Sequence, residues 1–147
     1  MVSARIVIRV VRFRAIAAAL ALAFVSQTAI ADVVAVVSAK SPITTLSNAQ
    51  LAEIFLGKVG RAPNGMRIVP IDQAEDSTDR EKFYAKVAGR SPAQMKSYWA
   101  KIIFTGRGQP PQELSSVTDL TKRIAADPNT IGYIEEGQVN DSIRVVR

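Results

Sequence analysis

The sequence predicts an α/β domain in which helices flank a mixed β-sheet. Two patterns along the chain predict this fold class. Short runs of β-branched apolar residues, typical of buried strands, alternate with amphipathic stretches of helical spacing. Several of those stretches follow a serine or threonine with glutamine or glutamate three residues later, which is the capping-box signature of a helix start. Residues 32–147 have a length that suits one compact domain.

The first thirty-one residues have the pattern of a cleavable export signal. Four arginines lie within residues 5–14, an uncharged apolar stretch follows at residues 15–25, and Ala29-Ile30-Ala31 has the small residues that a signal peptidase reads. We therefore expect residues 1–31 to be a signal peptide, cleaved before Asp32, and the mature protein to be periplasmic with no membrane span. The alternative is an uncleaved anchor, although the apolar stretch is shorter than the ~20 residues of a comfortable span.

The first predicted strand and helix follow directly. Residues 33–37 form a short apolar run rich in valine, which predicts a buried strand. Ser47 and Gln50 form a capping box, and Leu46 and Leu51 stand at the hydrophobic-staple positions around it. The helix is expected to end at Gly57. Its apolar face consists of Leu51, Ile54 and Phe55.

A second strand and helix are predicted on either side of a polar loop. Residues 67–71 predict the strand, in which Pro70 favours an edge position or an early strand end. The polar loop covers residues 72–77. Thr78 and Glu81 then form the second capping box, so Thr78 is predicted to cap the helix.

The rest of the domain predicts two further helices and two strands. Ser91 begins the third helix, and the loop at residues 105–111, rich in glycine and proline, follows it. Ser116 begins the fourth helix, and the last strands are predicted at residues 131–134 and 143–146. The inner face of the third helix is predicted to consist of Met95, Trp99, Ile102 and Ile103.

Composition excludes several function classes. The chain has no histidine and no cysteine, so the commonest general base, thiol chemistry, disulfides and lipoprotein acylation are all absent. No metal site, cofactor or enzymatic activity is predicted. Without the four arginines of the predicted signal, the chain has fifteen basic and thirteen acidic side chains, which gives a net charge near +2. The basic character of the whole chain therefore predicts no nucleic-acid partner.

The loop that joins the second strand to the second helix is the main candidate for a binding site. In open α/β sheets, ligands bind beyond the carboxyl ends of strands, and a helix start offers free amides to an anion. Ser77 and Thr78 add hydroxyls there, and Arg80 adds a charge that could pair with an oxyanion. The alternative is structural: Thr78 is explained as a helix cap, and nearby carboxylates such as Asp76 and Asp79 would repel an anion.

Arg107 is a second candidate, because it lies between Gly106 and Gly108. An arginine on a loop flanked by glycines can approach a ligand or a partner closely, and loops often carry function. The alternative is that Gly106 only ends the third helix, which leaves Arg107 on a solvated loop. Both interpretations stay open from the residues alone.

Three stretches of the sequence resemble the phosphate-binding receptors of ABC importers, which are type 2 periplasmic binding proteins. Residues 51–58 (Leu-Ala-Glu-Ile-Phe-Leu-Gly-Lys) resemble a helix segment of that family. Residues 68–71, the loop to Ser77 and the following helix resemble its strand, ligand loop and helix. Residues 131–135 (Ile-Gly-Tyr-Ile-Glu) are similar to its late Gly-Tyr strand. The resemblance implies a single lobe of that fold.

For the ligand, the resemblance implies phosphate or a similar small oxyanion. The family's loop carries an arginine and then a Ser-Gly-Thr run that binds the oxyanion. Ser77 matches that serine, whereas Thr78 stands in place of the glycine, Asp79 in place of the threonine, and Asp72 or Gln73 in place of the arginine. This exchange of a cation for carboxylates is expected to weaken phosphate binding.

The expected function is therefore that of an exported solute-binding-like protein connected with an ABC importer. The ligand-binding residues are expected to be Ser77, Thr78, Arg80, Gln73 and Arg107. The expected partners are a small oxyanion and an importer permease or another periplasmic protein. The alternative is an interaction or sensor-accessory module that kept the fold and lost the solute, because the receptors of this class close two lobes over their ligand and this chain resembles one lobe.

Overall fold

The computed structural model describes residues 31–147. Apart from its last residue, the predicted signal peptide lies outside the described residues. Within residues 31–147, no helix is both long and apolar enough to cross a membrane.

Strands and helices alternate along the described chain, as the sequence predicts. In chain order the elements are β1 (Val33–Ser38), α1 (Asn48–Phe55), β2 (Val69–Gln73), α2 (Thr78–Ala88), α3 (Pro92–Phe104), β3 (Gln112–Leu114), α4 (Val117–Ala126), β4 (Thr130–Glu135) and β5 (Ile143–Val145).

The five strands form one mixed sheet in the order β3-β2-β4-β1-β5. β2 is parallel to both β3 and β4, whereas β1 is antiparallel to β4 and to β5. The predicted fold class, a mixed sheet flanked by helices, is therefore confirmed. Because parallel neighbours need crossover connections, helices must separate β2, β3 and β4 along the chain, as they do.

Helices cover both faces of the sheet. α1, α2 and α3 pack on one face around a core that includes Phe55, Phe83 and Trp99. α4 packs on the other face through Leu120 and Ile124. α4 approaches β4 closely, since a side chain in place of Gly132 would clash with Leu120 and Ile124. Because helices cover both faces of the sheet, a ligand or a partner can reach only the ends of the strands and the outer surfaces of the helices.

The expectation of an edge position at Pro70 is wrong for the strand as a whole. β2 lies between β3 and β4. Proline is nevertheless tolerated, because β2 pairs with β4 at Val69 and Pro70, and with β3 only from Ile71 onward. The residue without an amide proton therefore lies where one side of the strand has no paired neighbour.

Two further sequence expectations need correction. β3 was not predicted, because it has only three residues and follows directly after a proline-rich loop. Ile103 is not an inner residue of α3: it is 55% exposed, and its neighbour Phe104 is 93% exposed. Met95 and Trp99 are buried, as expected.

The helix starts also divide into confirmed and corrected ones. Ser47 and Ser91 cap α1 and α3 with complete capping boxes, as predicted. The cap of α2 is Ser77 and not Thr78. Ser77 has extended backbone angles, and its hydroxyl oxygen accepts the amide proton of Arg80 at 3.3 Å. Thr78 is therefore the first residue of the helix, and its hydroxyl is not needed as a cap.

Candidate functional site

A pocket of about 470 Å³ lies beyond the carboxyl ends of the parallel neighbours β2 and β3. β2 leads into α2 and β3 leads into α4, so two helices begin beside this pocket. We call it the α2–α4 pocket. Its lining consists of Gln73, Ala74, residues 76–79, Ser115 and Val117.

The two helix starts offer backbone donors in the same pattern. In each, the cap serine accepts the amide proton of the third helical residue, which is Arg80 in α2 and Asp119 in α4. The first two amides of an α-helix have no partner within the helix. Among the described residues, neither Thr78 nor Asp79 has an acceptor for its amide proton, and the same holds for the first two residues of α4.

Carboxylates stand beside those donors. Asp76 and Asp79 both line the pocket, whereas no lysine or arginine of residues 31–147 does. Negative side chains in the first turn of a helix are themselves stabilised by the macrodipole. The pocket therefore combines amide and hydroxyl donors with acceptor groups, and it has no cation in its wall.

The predicted site residues Gln73 and Ser77 already have partners inside the protein. The side-chain amide nitrogen of Gln73 donates to the carbonyl of Tyr133 at 2.9 Å. The Ser77 hydroxyl donates to the side-chain oxygen of Gln73 at 2.6 Å. Both residues touch the pocket, but their strongest hydrogen bonds hold the loop in place. Thr78 is exposed at the pocket and its hydroxyl forms no hydrogen bond to another described residue.

Arg80 lies away from the pocket and pairs with Asp72 beneath the loop. Its Nε donates to Asp72 Oδ2 at 3.3 Å, and the two residues are only 6% and 1% exposed. A buried ion pair needs further hydrogen bonds to offset the loss of water. Asp72 receives them from the backbone amide of Gln73 at 2.9 Å, from the Tyr84 hydroxyl at 2.8 Å and from the Tyr133 hydroxyl. We call these five residues the Asp72 cluster.

The Asp72 carboxylate sits in a shell of donors such as an anion would need. The phenol protons of Tyr84 and Tyr133 are held there: burial, together with the Asp72 charge and hydrogen bond, raises the pKa of each well above the usual value. Burial alone would lower the pKa of Arg80, but the Asp72 carboxylate and the two phenol oxygens raise it overall. All three donors therefore keep their protons.

Arg107 lies in a different pocket. It lines a groove of about 800 Å³ on the outer side of α3, together with Lys58, Arg90 and Lys101. We call this the basic groove. Its remaining lining is Ala93, Gln94, Ser97, Tyr98 and Ile102. The structure thus brings Gln73, Ser77 and Thr78 together, holds Arg80 beneath them, and does not bring Arg107 to the same site.

Sequence reasoning missed the role of two residues here. The sequence analysis assigns Asp72 to the position of a family arginine and Tyr133 to a Gly-Tyr strand, and it gives neither of them a role in holding the loop. A signal existed for the first: a carboxylate at the end of an apolar strand faces burial, and it therefore requires a nearby cation such as Arg80. Nothing local could identify Tyr133, which lies 61 residues from Asp72. Within the described residues, no group of acidic side chains could hold a metal ion.

The sequence matches no protein-family model and no curated protein. Solved structures do share the fold. One is a phosphate ABC transporter substrate-binding protein with bound phosphate from Clostridium perfringens, with a TM-score of 0.63 and 18% identity over 79% of this chain and 44% of that one. Another is an ABC-type phosphate transport receptor from Vibrio cholerae, with a TM-score of 0.62 and 17% identity over 79% of this chain and 45% of that one.

A third such structure is PstS from Borrelia burgdorferi, with a TM-score of 0.56 and 15% identity over 78% of this chain and 46% of that one. At these identities the likeness concerns the fold alone. The resemblance that the sequence suggested is confirmed at that level: residues of this chain share the fold of part of these phosphate-binding structures. The chain spans less than half the length of each of these structures.

Proposed function

We propose that this protein is an exported solute-binding-like domain that recognises phosphate, or a similar protonated oxyanion, in the α2–α4 pocket. The observation that carries the proposal is the convergence of two helix starts on one pocket at the carboxyl ends of parallel strands. The amides of Thr78 and Asp79, the equivalent amides of α4 and the hydroxyls of Thr78 and Ser115 are the donors that we assign to the oxyanion. Gln73, Ser77 and Arg80 hold the loop that presents them.

The carboxylates in the wall determine which oxyanions suit the pocket. A fully ionised tetrahedral anion such as sulfate offers only acceptor oxygens, and Asp76 and Asp79 repel it. Hydrogen phosphate also carries a proton, which a carboxylate can accept in a short charge-assisted hydrogen bond. The mixture of donors and acceptors therefore favours phosphate over sulfate.

Affinity is expected to be modest, because Arg80, the one arginine of residues 31–147 near this loop, is already paired. Arg80 is neutralised by Asp72 and lies beneath the loop rather than in the pocket wall. In the two-lobed receptors that the sequence resembles, a second lobe closes over the ligand. We propose that a second protein, either an importer permease or another periplasmic protein, closes this pocket when the chain functions in transport.

Isothermal titration of the purified protein with phosphate and with sulfate at low ionic strength tests the proposal. Phosphate should bind and sulfate should bind more weakly or not at all. Thr78→Val keeps the shape of the side chain and removes its hydroxyl, so it should weaken phosphate binding by about threefold to tenfold. Thr121→Val, one turn further along α4 and outside the lining of this pocket, is the matched control and should leave the affinity unchanged. No heat and no thermal shift at millimolar phosphate would refute the proposal.

A second candidate function is a periplasmic interaction module that has kept the fold and lost the solute. It is favoured by the internal hydrogen bonds of Gln73, Ser77 and Arg80, and by the absence of a cation from the described pocket wall. Under this alternative, Thr78→Val should have no effect on any partner complex recovered from periplasm. Under the first proposal, phosphate should change the stability of the importer complex.

A further inference from the structure

The basic groove, with a volume of about 800 Å³, is larger than the α2–α4 pocket, and the proposed phosphate site does not use it. Four cationic side chains line it: Lys58, Arg90, Lys101 and Arg107. No aspartate or glutamate lines it, and none of the four forms a salt bridge with a carboxylate of residues 31–147. Like charges gathered without counter-charges repel one another, so they do not contribute to folding stability.

The backbone that carries these cations is firmly fixed. Gly106 has a left-handed φ of 65°, and the amide of Arg107 donates to the carbonyl of Ile102 at 3.1 Å, which anchors Arg107 against the end of α3. On the opposite wall, the Tyr98 hydroxyl donates to the carbonyl of Leu56 at 2.6 Å and ties α3 to the end of α1, next to Lys58. The groove is therefore preformed rather than assembled by flexible loops.

The groove is shallow, and its floor is largely apolar. Ala93 and Ser97 are small residues one turn apart on α3, and they leave a depression along the helix. Tyr98 and Ile102 form its apolar side, and the Arg90 guanidinium lies 4.9 Å from the centre of the Tyr98 ring. A volume of about 800 Å³ is far larger than one small oxyanion needs, and a small anion would leave this apolar floor exposed.

An exposed aromatic side chain extends the same surface. Phe104 is 93% exposed and follows Ser97 by seven residues, so it lies on nearly the same stripe of α3. Aromatic side chains next to a concave, charged surface are typical of protein–protein contacts. The groove therefore has both a means of recognising negative charge and an apolar surface to bury.

We propose that the basic groove docks an acidic segment of a partner protein, with an apolar side chain of that segment seated against Tyr98 and Ile102. Charge complementarity selects the occupant, because only a negatively charged segment relieves the repulsion among four cations. The apolar strip of Tyr98 and Ile102 among the cations favours a peptide segment that presents both negative charge and an apolar side chain. This inference is independent of phosphate binding in the α2–α4 pocket.

Fluorescence anisotropy with a labelled glutamate-rich peptide that contains one leucine tests the proposal. A peptide with glutamine in place of each glutamate is the charge control for the ligand. The purified protein should bind the acidic peptide, more weakly as salt is added, and should not bind the glutamine peptide. The double variant Lys101→Glu/Arg107→Glu should lose at least about tenfold in affinity, since it replaces two attractive charges by repulsive ones.

Two further variants separate docking in the groove from general attraction between charges. Lys122→Glu/Arg123→Glu makes the same change in net charge on exposed positions of α4, and it should keep the affinity within about twofold because those charges are outside the groove. Ser97→Trp fills the depression without changing the charge, and it should abolish binding. Circular dichroism of each variant checks that it is folded.

Several results would overturn the proposal. Equal losses in the two double variants would mean that binding follows net charge alone. Retention of binding in Ser97→Trp would mean that the depression is not occupied. Binding to phosphatidylglycerol vesicles in place of the acidic peptide, with the same sensitivity to Lys101→Glu/Arg107→Glu, would identify a membrane surface as the ligand and refute the assignment to a protein segment.

Discussion

The Asp72 cluster and the basic groove handle charge in opposite ways. In the cluster, one cation and one carboxylate are buried together, and Asp72 accepts hydrogen bonds from Arg80, Tyr84 and the amide of Gln73. In the groove, four cations are gathered at the surface with no carboxylate of the described chain beside them. A charge whose partner is built into the chain contributes to the fold. A group of charges that lacks such a partner indicates a ligand outside it.

Removal of the Asp72 carboxylate should have the largest effect on stability. Asp72→Ala leaves Arg80 and two phenol groups buried without their acceptor, and breaking a buried ion pair in this way typically costs about 3–5 kcal/mol. Urea unfolding, followed by circular dichroism, measures the loss. Asp76→Ala removes an exposed carboxylate from the neighbouring loop and should change the free energy of unfolding by less than about 0.5 kcal/mol.

Asp72→Ala can also show whether the donors around Asp72 form an anion-binding site that the Asp72 carboxylate occupies in the wild-type protein. Asp72→Ala creates a space of the size of a carboxylate, surrounded by donors, so formate should raise its melting temperature in a concentration-dependent way. The wild-type protein, whose shell is occupied, should show no such response. If formate stabilises both proteins equally, the space does not act as an anion site.

Alkaline pH should destabilise the fold through the two phenol groups of the Asp72 cluster. Folding raises the pKa of Tyr84 and Tyr133 above the value of about 10 that tyrosine has in an unfolded chain. Above that pH the unfolded state loses phenol protons that the folded state keeps, so stability is full below about pH 10 and falls by about 1.4 kcal/mol per pH unit for each phenol above it.

Urea midpoints measured across that pH range check this prediction. In Tyr84→Phe one of the two phenols is gone, so the slope above about pH 10 should be shallower. An unchanged slope would show that the loss of stability arises from other groups.

The same substitution, tyrosine to phenylalanine, can be made in the Asp72 cluster at Tyr84 and at the basic groove at Tyr98, which allows a direct comparison of the two regions. The Tyr84 hydroxyl donates to a buried carboxylate, whereas the Tyr98 hydroxyl donates to a backbone carbonyl at the groove. Hydrogen bonds to charged groups contribute about 1.5–3 kcal/mol and neutral ones about 0.5–1.5 kcal/mol. Tyr84→Phe should therefore cost more than Tyr98→Phe in urea unfolding. The reverse order would contradict the importance assigned to the Asp72 shell.

The sequence predicted most of the fold because its signals are local. Capping at Ser47 and Ser91 and the apolar strand at the start of the domain depend on neighbours within a few residues, and the structure confirms them. The cap of α2 was misplaced by one residue because Ser77 and Thr78 are chemically equivalent as caps. What decides between them is the bond from Ser77 to Gln73, which belongs to the loop and not to the helix.

The site was less predictable because its partners are distant in sequence. Arg80 was expected to face a ligand, and it faces Asp72, a choice that depends on burial beneath two tyrosines. Arg107 was noticed for its flanking glycines, but its grouping with Lys58 and Arg90 depends on how α1 and α3 pack. The grouping of Arg107 arises only from tertiary contacts, so no local pattern could reveal it. The pairing of Arg80 had only the indirect signal of a carboxylate at the end of an apolar strand.

The smallest effects on stability are expected for the cations of the basic groove, which we propose to bind an acidic segment of a partner. Lys58→Gln and Arg107→Gln remove cations of the groove that have no carboxylate partner in residues 31–147, so each should change the free energy of unfolding by less than about 0.5 kcal/mol in urea. Added salt should slightly stabilise the wild-type protein, because it screens the repulsion among the four cations. A loss above about 2 kcal/mol in either variant would show that the cation has a structural partner, and the comparison between a self-contained charge cluster and one that awaits a partner would then fail.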